Sequence, residues 1–277
     1  MIGGSAFYGC TSLTGDLLIP ASVKTIGNYA FNGCTGINGK VTIEGNENGT
    51  TIGEYAFNGC TQISSLELED GITSIGAYAF QNCSGIKGDL VIPDSVTSIG
   101  GYAFYYCSGF DGTLTLSKSL TSINEQTFVG CTGFTGELII PDSVTTIGNN
   151  AFGYYYQYKS STPTDIRMPN ITSVVIGKKV SQIATYDYSS YQIENPFYGF
   201  TGVKEFTFKG TTIPSMLDAD IFSSMNALEK VFVPAESYDA YVNALSAYVN
   251  NAEIITDLTK ANVKNLKATA IFSKTIR

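Results

Sequence analysis

Alternating apolar pairs recur along the chain at nearly regular intervals: Leu17/Ile19, Val41/Ile43, Leu66/Leu68, Leu90/Ile92, Leu114/Leu116, Leu138/Ile140, Val174/Ile176, Phe206/Phe208 and Val231/Val233. Period-two spacing of aliphatic and aromatic residues predicts short strands with one buried face. Pro20, Pro93, Pro141 and Pro234 follow directly, where a strand must stop and turn because proline brings no amide donor. A second apolar pair, such as Val23/Ile26, Val96/Ile99 or Val144/Ile147, points inward from the next side of the unit. Gly27, Gly53, Gly76, Gly100 and Gly148 then allow a further bend.

The unit is a repeat. "DSVTSIGGYAFYYC" at 94–107 returns as "DSVTTIGNNAFGYY" at 142–155. Cysteines at 10, 34, 60, 83, 107 and 131 are spaced 24, 26, 23, 24 and 24 residues apart. The aromatic three positions earlier keeps step as Phe7, Phe31, Phe57, Phe80, Phe104 and Phe128, and continues without cysteine at Phe152, Phe197 and Phe222. This predicts about nine coils, the first incomplete. One coil has too few inward side chains and two open edges, so it cannot close a core alone. Stacked at roughly 4.8 Å per step, like residues lie over like, and each large apolar side chain contributes about 1.5–3 kcal/mol by burial before entropy is counted.

Composition narrows the chemistry. The 277 residues contain no His and no Trp, which removes the usual general base near neutral pH and the commonest transition-metal ligand. Mechanisms built on a Ser-His or Cys-His pair are excluded, no motif supplies an activated nucleophile, and a non-enzyme without cofactor or metal is expected. In-line cysteines lack the paired spacing of a zinc site and the converging geometry of a disulfide; they are expected to be small buried residues. The acidic clusters Asp218-Ala219-Asp220 and Glu67-Leu68-Glu69-Asp70 lack calcium-loop spacing and are read as solvated surface. A net charge of −8 opposes a grip on nucleic acid or anionic lipid. No apolar run approaches the roughly 20 residues of a membrane helix, so no membrane insertion of this segment is expected. Met1 is followed within five residues by "AFYGC", a phrase from mid-repeat. The expectation is a chain that begins inside its own architecture, with any export signal upstream.

These residues carry a resemblance. "ITSIGAYAFQNCSGIKGDLVIPDSVTSIG" at 72–100, in a register shared from residue 5 to about 234, resembles the BspA-type leucine-rich repeats of bacterial surface proteins. The resemblance implies a right-handed, β-rich α/β solenoid, exported to the cell surface or secreted. It implies adhesion or recognition of a protein or glycan of a host or neighbouring cell, without fixing the ligand. The alternative is a spacer or stalk that presents another module.

Three features are candidates for function. Phe152 to Val174 is twenty-two residues where Phe128 to Leu138 is ten, and Ile183 to Phe197 is fourteen where Ile147 to Phe152 is five. The solenoid at 1–234 is therefore interrupted near 154–170 and 184–195. The two insertions bring candidate ligand-binding residues Tyr154, Tyr155, Tyr156, Tyr158, Tyr186, Tyr188 and Tyr191; tyrosine offers a broad rigid face and a hydroxyl. The alternative is that these rings pack on one another over an irregular coil. A ladder of Tyr29, Tyr55, Tyr78 and Tyr102 precedes the Ala-Phe phrase and is read chiefly as a shield over the core. Outward strand positions form the third candidate, a stripe of Val91, Thr115, Ile139, Val175 and Thr207, which serves either a partner or strand propensity alone.

The C-terminal pattern differs. Tyr238, Tyr241, Val242, Leu245, Tyr248 and Val249 recur at helical spacing, predicting a helical cap over 235–257 that lies across the last coil. Residues 258–277 carry five basic and no acidic residues and read as a basic tail, strand or linker.

Overall fold

The computed structural model describes residues 1–156, 164–184, 186–187, 192–193, 195–215, 219–249 and 252–256. In chain order the strands are β1 (Leu17–Ile19), β2 (Thr25–Ile26), β3 (Lys40–Ile43), β4 (Thr50–Ile52), β5 (Ser65–Leu68), β6 (Ile72–Ile75), β7 (Leu90–Val91), β8 (Ser98–Ile99), β9 (Leu114–Thr115), β10 (Ser122–Ile123), β11 (Gly136–Ile139) and β12 (Thr146–Ile147). They continue as β13 (Tyr154–Tyr156), β14 (Thr164–Ile166), β15 (Ile171–Ile176), β16 (Gln182–Ile183), β17 (Tyr186–Asp187), β18 (Gln192–Ile193), β19 (Glu205–Phe208) and β20 (Lys230–Val233). Helix α1 (Tyr238–Leu245) and β21 (Glu253–Thr256) follow.

These elements wind into a solenoid of about eight turns, close to the nine registers with an incomplete first that the repeat predicts. The alternating pairs form one parallel face, in the runs β1-β3-β5, β7-β9 and β11-β15-β19-β20-β21. The second apolar pair supplies another, β2-β4-β6-β8 and β10-β12-β16. Register advances by one repeat per step, as in Leu17↔Val41↔Leu66 and Leu138↔Val174↔Phe206↔Val231. The apolar member of each pair turns inward: Val41, Ile43, Ile52, Ile75, Ile99 and Ile147 are all buried.

The third side is a turn in which hydrogen bonds alternate in direction. The amides of Ala30, Asn32 and Cys34 donate to carbonyls three residues back within the coil, at 3.2, 3.2 and 3.1 Å. Those of Tyr29, Phe31 and Gly33 donate instead to Glu54, Ala56 and Asn58 of the next coil, at 2.9, 2.7 and 2.8 Å. Positive φ at Tyr29 (59°) and Gly33 (69°) interrupts the helical course and lets alternate amides point along the solenoid axis. Phe7, Phe31, Phe57, Phe80, Phe104, Phe128, Phe152 and Phe197 stack beneath this side, with centroids 4.9–5.8 Å apart and planes within 11°.

The cysteines stand in a column beside them and do more than fill space. Each thiol of Cys34, Cys60, Cys83, Cys107 and Cys131 donates to the carbonyl of the phenylalanine one coil back, at 2.9–3.2 Å. All six are free thiols. Burial pushes the thiols of Cys34, Cys60, Cys83 and Cys107 upward from the ordinary value.

Tyr29, Tyr55, Tyr78 and Tyr102 form the expected outer ladder, with centroids 4.6–4.9 Å apart and planes within 11°. Each holds φ between 55° and 60°, a left-handed conformation that costs a residue with a Cβ about 1–2 kcal/mol. Ring pairs contribute about 0.5–1.5 kcal/mol each, so a tyrosine stacked on both sides roughly offsets its backbone strain. Where the ladder stops, the same backbone position is Gln126 or Asn150.

Two expectations need correcting. Phe222 does not continue the stacked column: it meets Phe206 edge-on at 5.3 Å and 88°. In β19 the inward pair is Phe206 and Phe208 instead of aliphatic residues, and Phe206 also stands at 84° to Phe197, so rings there pack by their edges. Second, the chain does not end its coils at the helix. Tyr241, Leu245 and Val249 are buried, and the Tyr241 hydroxyl donates to the Gly210 carbonyl at 2.9 Å, its pKa pushed up to about 12 by burial. Beyond the helix, β21 returns to pair with β20 in parallel. Residues 258–277 lie outside the described residues.

Exposed side chains also tie coils together. The carboxylates of Asp89 and Asp94 accept from the amides of Thr113 and Lys118 one coil on, at 2.6 and 2.9 Å. These amide bonds, with the Thr113 hydroxyl and the Lys118 ammonium, hold both carboxyls below the usual aspartate range.

Three outcomes follow from this packing. An aromatic disulfide reagent titrates one fast thiol, the half-buried Cys10, and reaches the other five only on unfolding; six equal rates would contradict the sealed column. Tyr78→Gly relieves the backbone strain yet loses two ring contacts, and lowers stability in denaturant by about 1 kcal/mol. Because the two aspartates have folded pKa values below their unfolded ones, their contribution is present above about pH 4 and is lost as pH falls further. Thermal melts at pH 5 and pH 3 therefore differ less for an Asp89→Asn/Asp94→Asn variant than for the parent.

Candidate recognition site

Along the first parallel face, outward residues line up by register. Leu18, Thr42 and Glu67 form one run, Val91 and Thr115 a second, and Ile139, Val175, Thr207, Phe232 and Ile255 a third. Leu18, Val91 and Ile139 are 57%, 52% and 46% exposed, well beyond the few per cent of the inward row. Thr115 is exposed, while Val175 and Thr207 are half-buried. Charge enters the row itself at Glu67, whose carboxyl Lys40 holds below the usual range by hydrogen bond and charge. The strand runs break between β5 and β7, and Lys40, Glu67, Asp89 and Val91 line a notch there. The row thus mixes exposed aliphatic residues with threonine and one ion pair.

The insertions fold as two antiparallel hairpins. In the first, Tyr154, Tyr155 and Tyr156 of β13 pair with Ile166, Asp165 and Thr164 of β14. In the second, Tyr186 and Asp187 of β17 pair with Ile193 and Gln192 of β18. Strand β13 lies against β18, so two insertions separated in sequence by a full coil meet in space. Gly153 anchors the first hairpin: its amide donates to the Pro196 carbonyl at 3.2 Å, and a Cβ there would sit 1.7 Å from the Tyr198 carbonyl oxygen. Only glycine allows this approach. Tyr158, Tyr188 and Tyr191 lie outside the described residues.

The outer tyrosine ladder offers a different surface. At its end Tyr105 tilts against Tyr102 at 5.4 Å and 57°, and Tyr106 meets Tyr105 edge-on at 4.6 Å. Rings stacked on one another have little face left for a ligand and present their edges. Burial, with Tyr78, Tyr29 and Glu54 nearby, pushes the Tyr55 hydroxyl above its ordinary pKa. The left-handed backbone beneath these rings had no signal in composition. Its one trace in the sequence lies four residues on, where the second left-handed position is Gly9, Gly33, Gly59 and Gly130, with Asn82 and Tyr106 in the remaining coils.

Among the described residues no three His, Cys, Asp or Glu side chains are grouped to hold a metal ion, and no helix is long and apolar enough to cross a membrane. What the arrangement provides chemically is contact area: a mixed aliphatic and threonine stripe, paired hairpins and hydroxyl edges on a stiff support.

The comparisons agree with this architecture. A family model described as "BspA type Leucine rich repeat region" matches in six copies over residues 1–108 and 87–194. No curated protein matches the chain. Among solved structures, a leucine-rich repeat protein from Bacteroides ovatus ATCC 8483 is similar with a TM-score of 0.53 and 20% identity, over 92% of this chain and 66% of its own length. The pneumococcal vaccine antigen PcpA gives a TM-score of 0.53 at 17% identity, over 88% of this chain and 68% of its own. This chain thus spans 66% of the length of the first of these relatives, and likeness at such identity speaks for fold. With six repeat copies matched across most of the solenoid and two parallel faces stacked in register, the chain belongs to the BspA-type leucine-rich repeat family.

Proposed function

We propose that this solenoid is a non-catalytic recognition or adhesion module at a bacterial cell surface, binding a host or neighbouring-cell protein or glycan. The observation that carries the reading is the meeting of β13 and β18. It gathers two tyrosine-bearing insertions of neighbouring coils into one protrusion on a rigid scaffold, an arrangement suited to recognition. The binding residues proposed are Tyr154, Tyr155, Tyr156, Tyr158, Tyr186, Tyr188 and Tyr191, with Val91, Thr115, Ile139, Val175 and Thr207 as a second contact row. Membership of the repeat family supports a bacterial interaction module, and the cell-surface location rests on that membership.

A stalk is the competing reading, favoured by the unbroken ring column from Phe7 to Phe197, which stiffens the solenoid along its axis.

The two separate on arrays of glycans and extracellular-matrix proteins. The recognition reading expects a saturable hit that Tyr155→Ala/Tyr156→Ala/Tyr188→Ala weakens by about tenfold or more, as loss of a few aromatic anchors does, with an unchanged melting temperature. No hit on either array supports the stalk. A hit retained in full by the triple variant removes the hairpins from the site.

A further inference from the structure

At one step of the solenoid, between the coils that carry β8 and β10, three regularities of the repeat stop together. The second parallel face is broken there, since β8 and β10 belong to separate sheets. The tyrosine ladder ends there, the register successor of Tyr102 being Gln126. The corner joining these two sides also changes. After Ile26, Ile52, Ile75, Ile99, Ile123 and Ile147 the chain turns on Gly27, Gly53, Gly76, Gly100, Asn124 and Gly148. At each of the five glycines a Cβ would come within 3.0 Å of the preceding coil, so asparagine fits at 124 only where the coils stand apart.

The hydrogen bonds record that separation. The amides of Gly53, Gly76, Gly100 and Gly148 each donate to the isoleucine carbonyl one coil back, at 2.8 Å. At Asn124 the side-chain Nδ2 takes the Ile99 carbonyl instead, at 2.6 Å, and among the described residues the backbone amide makes no such bond. Beside it lies a concavity of about 350 Å³, lined by Gly101, Asn124, Glu125, Gly148 and Asn149. Room for it comes from Gly101, whose counterparts in other coils are Asn28, Glu54, Ala77, Glu125 and Asn149. The backbone does not require glycine at 101. Its φ lies outside the left-handed region, and a Cβ would meet nothing nearer than 3.2 Å, at the Glu125 Cγ and carbonyl oxygen.

We propose that this corner binds a neutral hexose residue of a glycan, plain or N-acetylated. The lining holds polar side chains and bare backbone, with no apolar side chain and one charge. Two adjacent ring hydroxyls can donate to both oxygens of the Glu125 carboxylate. Asn124, its Nδ2 committed, offers Oδ1 as an acceptor, and the Asn149 amide both donates and accepts. The volume falls at the lower end of small-ligand sites and suits a single sugar ring. An apolar peptide side chain would find no apolar wall. A divalent cation would find one carboxylate where such ions gather six or more oxygens, and an acidic sugar would be repelled by Glu125. The site uses no residue of the two hairpins and is independent of the reading given to them.

The test is saturation-transfer NMR on the full chain with the methyl glycosides of glucose, galactose, mannose and N-acetylglucosamine. At least one should give a transfer that saturates with concentration, while N-acetylneuraminic acid, which carries its own carboxylate, should give none. Gly101→Gln fills the concavity from a backbone that accepts a side chain, and should weaken binding about tenfold or more at an unchanged melting temperature. Glu125→Gln keeps the volume and should also weaken binding about tenfold, as loss of hydrogen bonds to a charged acceptor does; if Gly101→Gln melts lower, this variant decides. Tyr155→Ala/Tyr156→Ala/Tyr188→Ala should leave binding unchanged. The proposal is overturned by no saturable transfer from any of the four glycosides, by equal transfer from N-acetylneuraminic acid, by full binding in Glu125→Gln or by loss in the tyrosine variant. Calorimetric calcium binding that Glu125→Gln abolishes would assign the same groups to a cation and overturn it too.

Discussion

The structure depends on one constraint: every second amide on the turn side must bond to the neighbouring coil while its alternates bond within their own. A turn that spent all its amides internally would be a helix, and adjacent coils would be held there by apolar contact alone. Two left-handed residues in each of the first six coils prevent this and convert the turn into a third face of axial hydrogen bonds beside the two parallel sheets. Where the strand runs break between β5 and β7, the turn side still bonds along the axis, as from Tyr55 and Phe57 to Ala77 and Ala79, so the coils cannot slide and like residues are held over like.

Side-chain identity follows from that alignment. Phenylalanine stacks because the step places ring above ring, and tyrosine can occupy a strained backbone position because neighbours hold it on both faces. Cysteine illustrates the economy of the repeat. A buried residue at this point must be small, yet the phenylalanine carbonyl one coil back has acceptor capacity to spare; a thiol fills the volume and donates to that oxygen. An alanine would supply only the volume. Burial in turn suppresses thiolate formation, so the column is chemically quiet.

The same constraint decides where the repeat tolerates departure. Insertions leave the solenoid after Phe152 and after Ile183, and beyond the first of them axial bonding resumes at Met168, whose amide donates to the Gly199 carbonyl. They pair with themselves as hairpins because no neighbouring coil offers a matching edge. Residues over neighbouring coils must then share space, which is why two stretches set apart in sequence converge on one flank. The stiffness that holds them there comes from the columns beneath.

How much of this was legible in the chain itself divides by range of interaction. Regular cysteine and phenylalanine spacing, with strand alternation and corner prolines, determined the solenoid, its strands, the inward columns and the location of both insertions, because each is a local pattern repeated and a repeat can be completed only by its neighbours. The donor role of the thiols, the left-handed tyrosines, the edge-on turn of Phe222, the strand beyond the helix and the meeting of the hairpins were decided by tertiary structure. Each depends on the distance between residues of different coils. That distance is set by stacking geometry and by the bulk of particular neighbours such as Phe206, neither of which a spacing along the chain records.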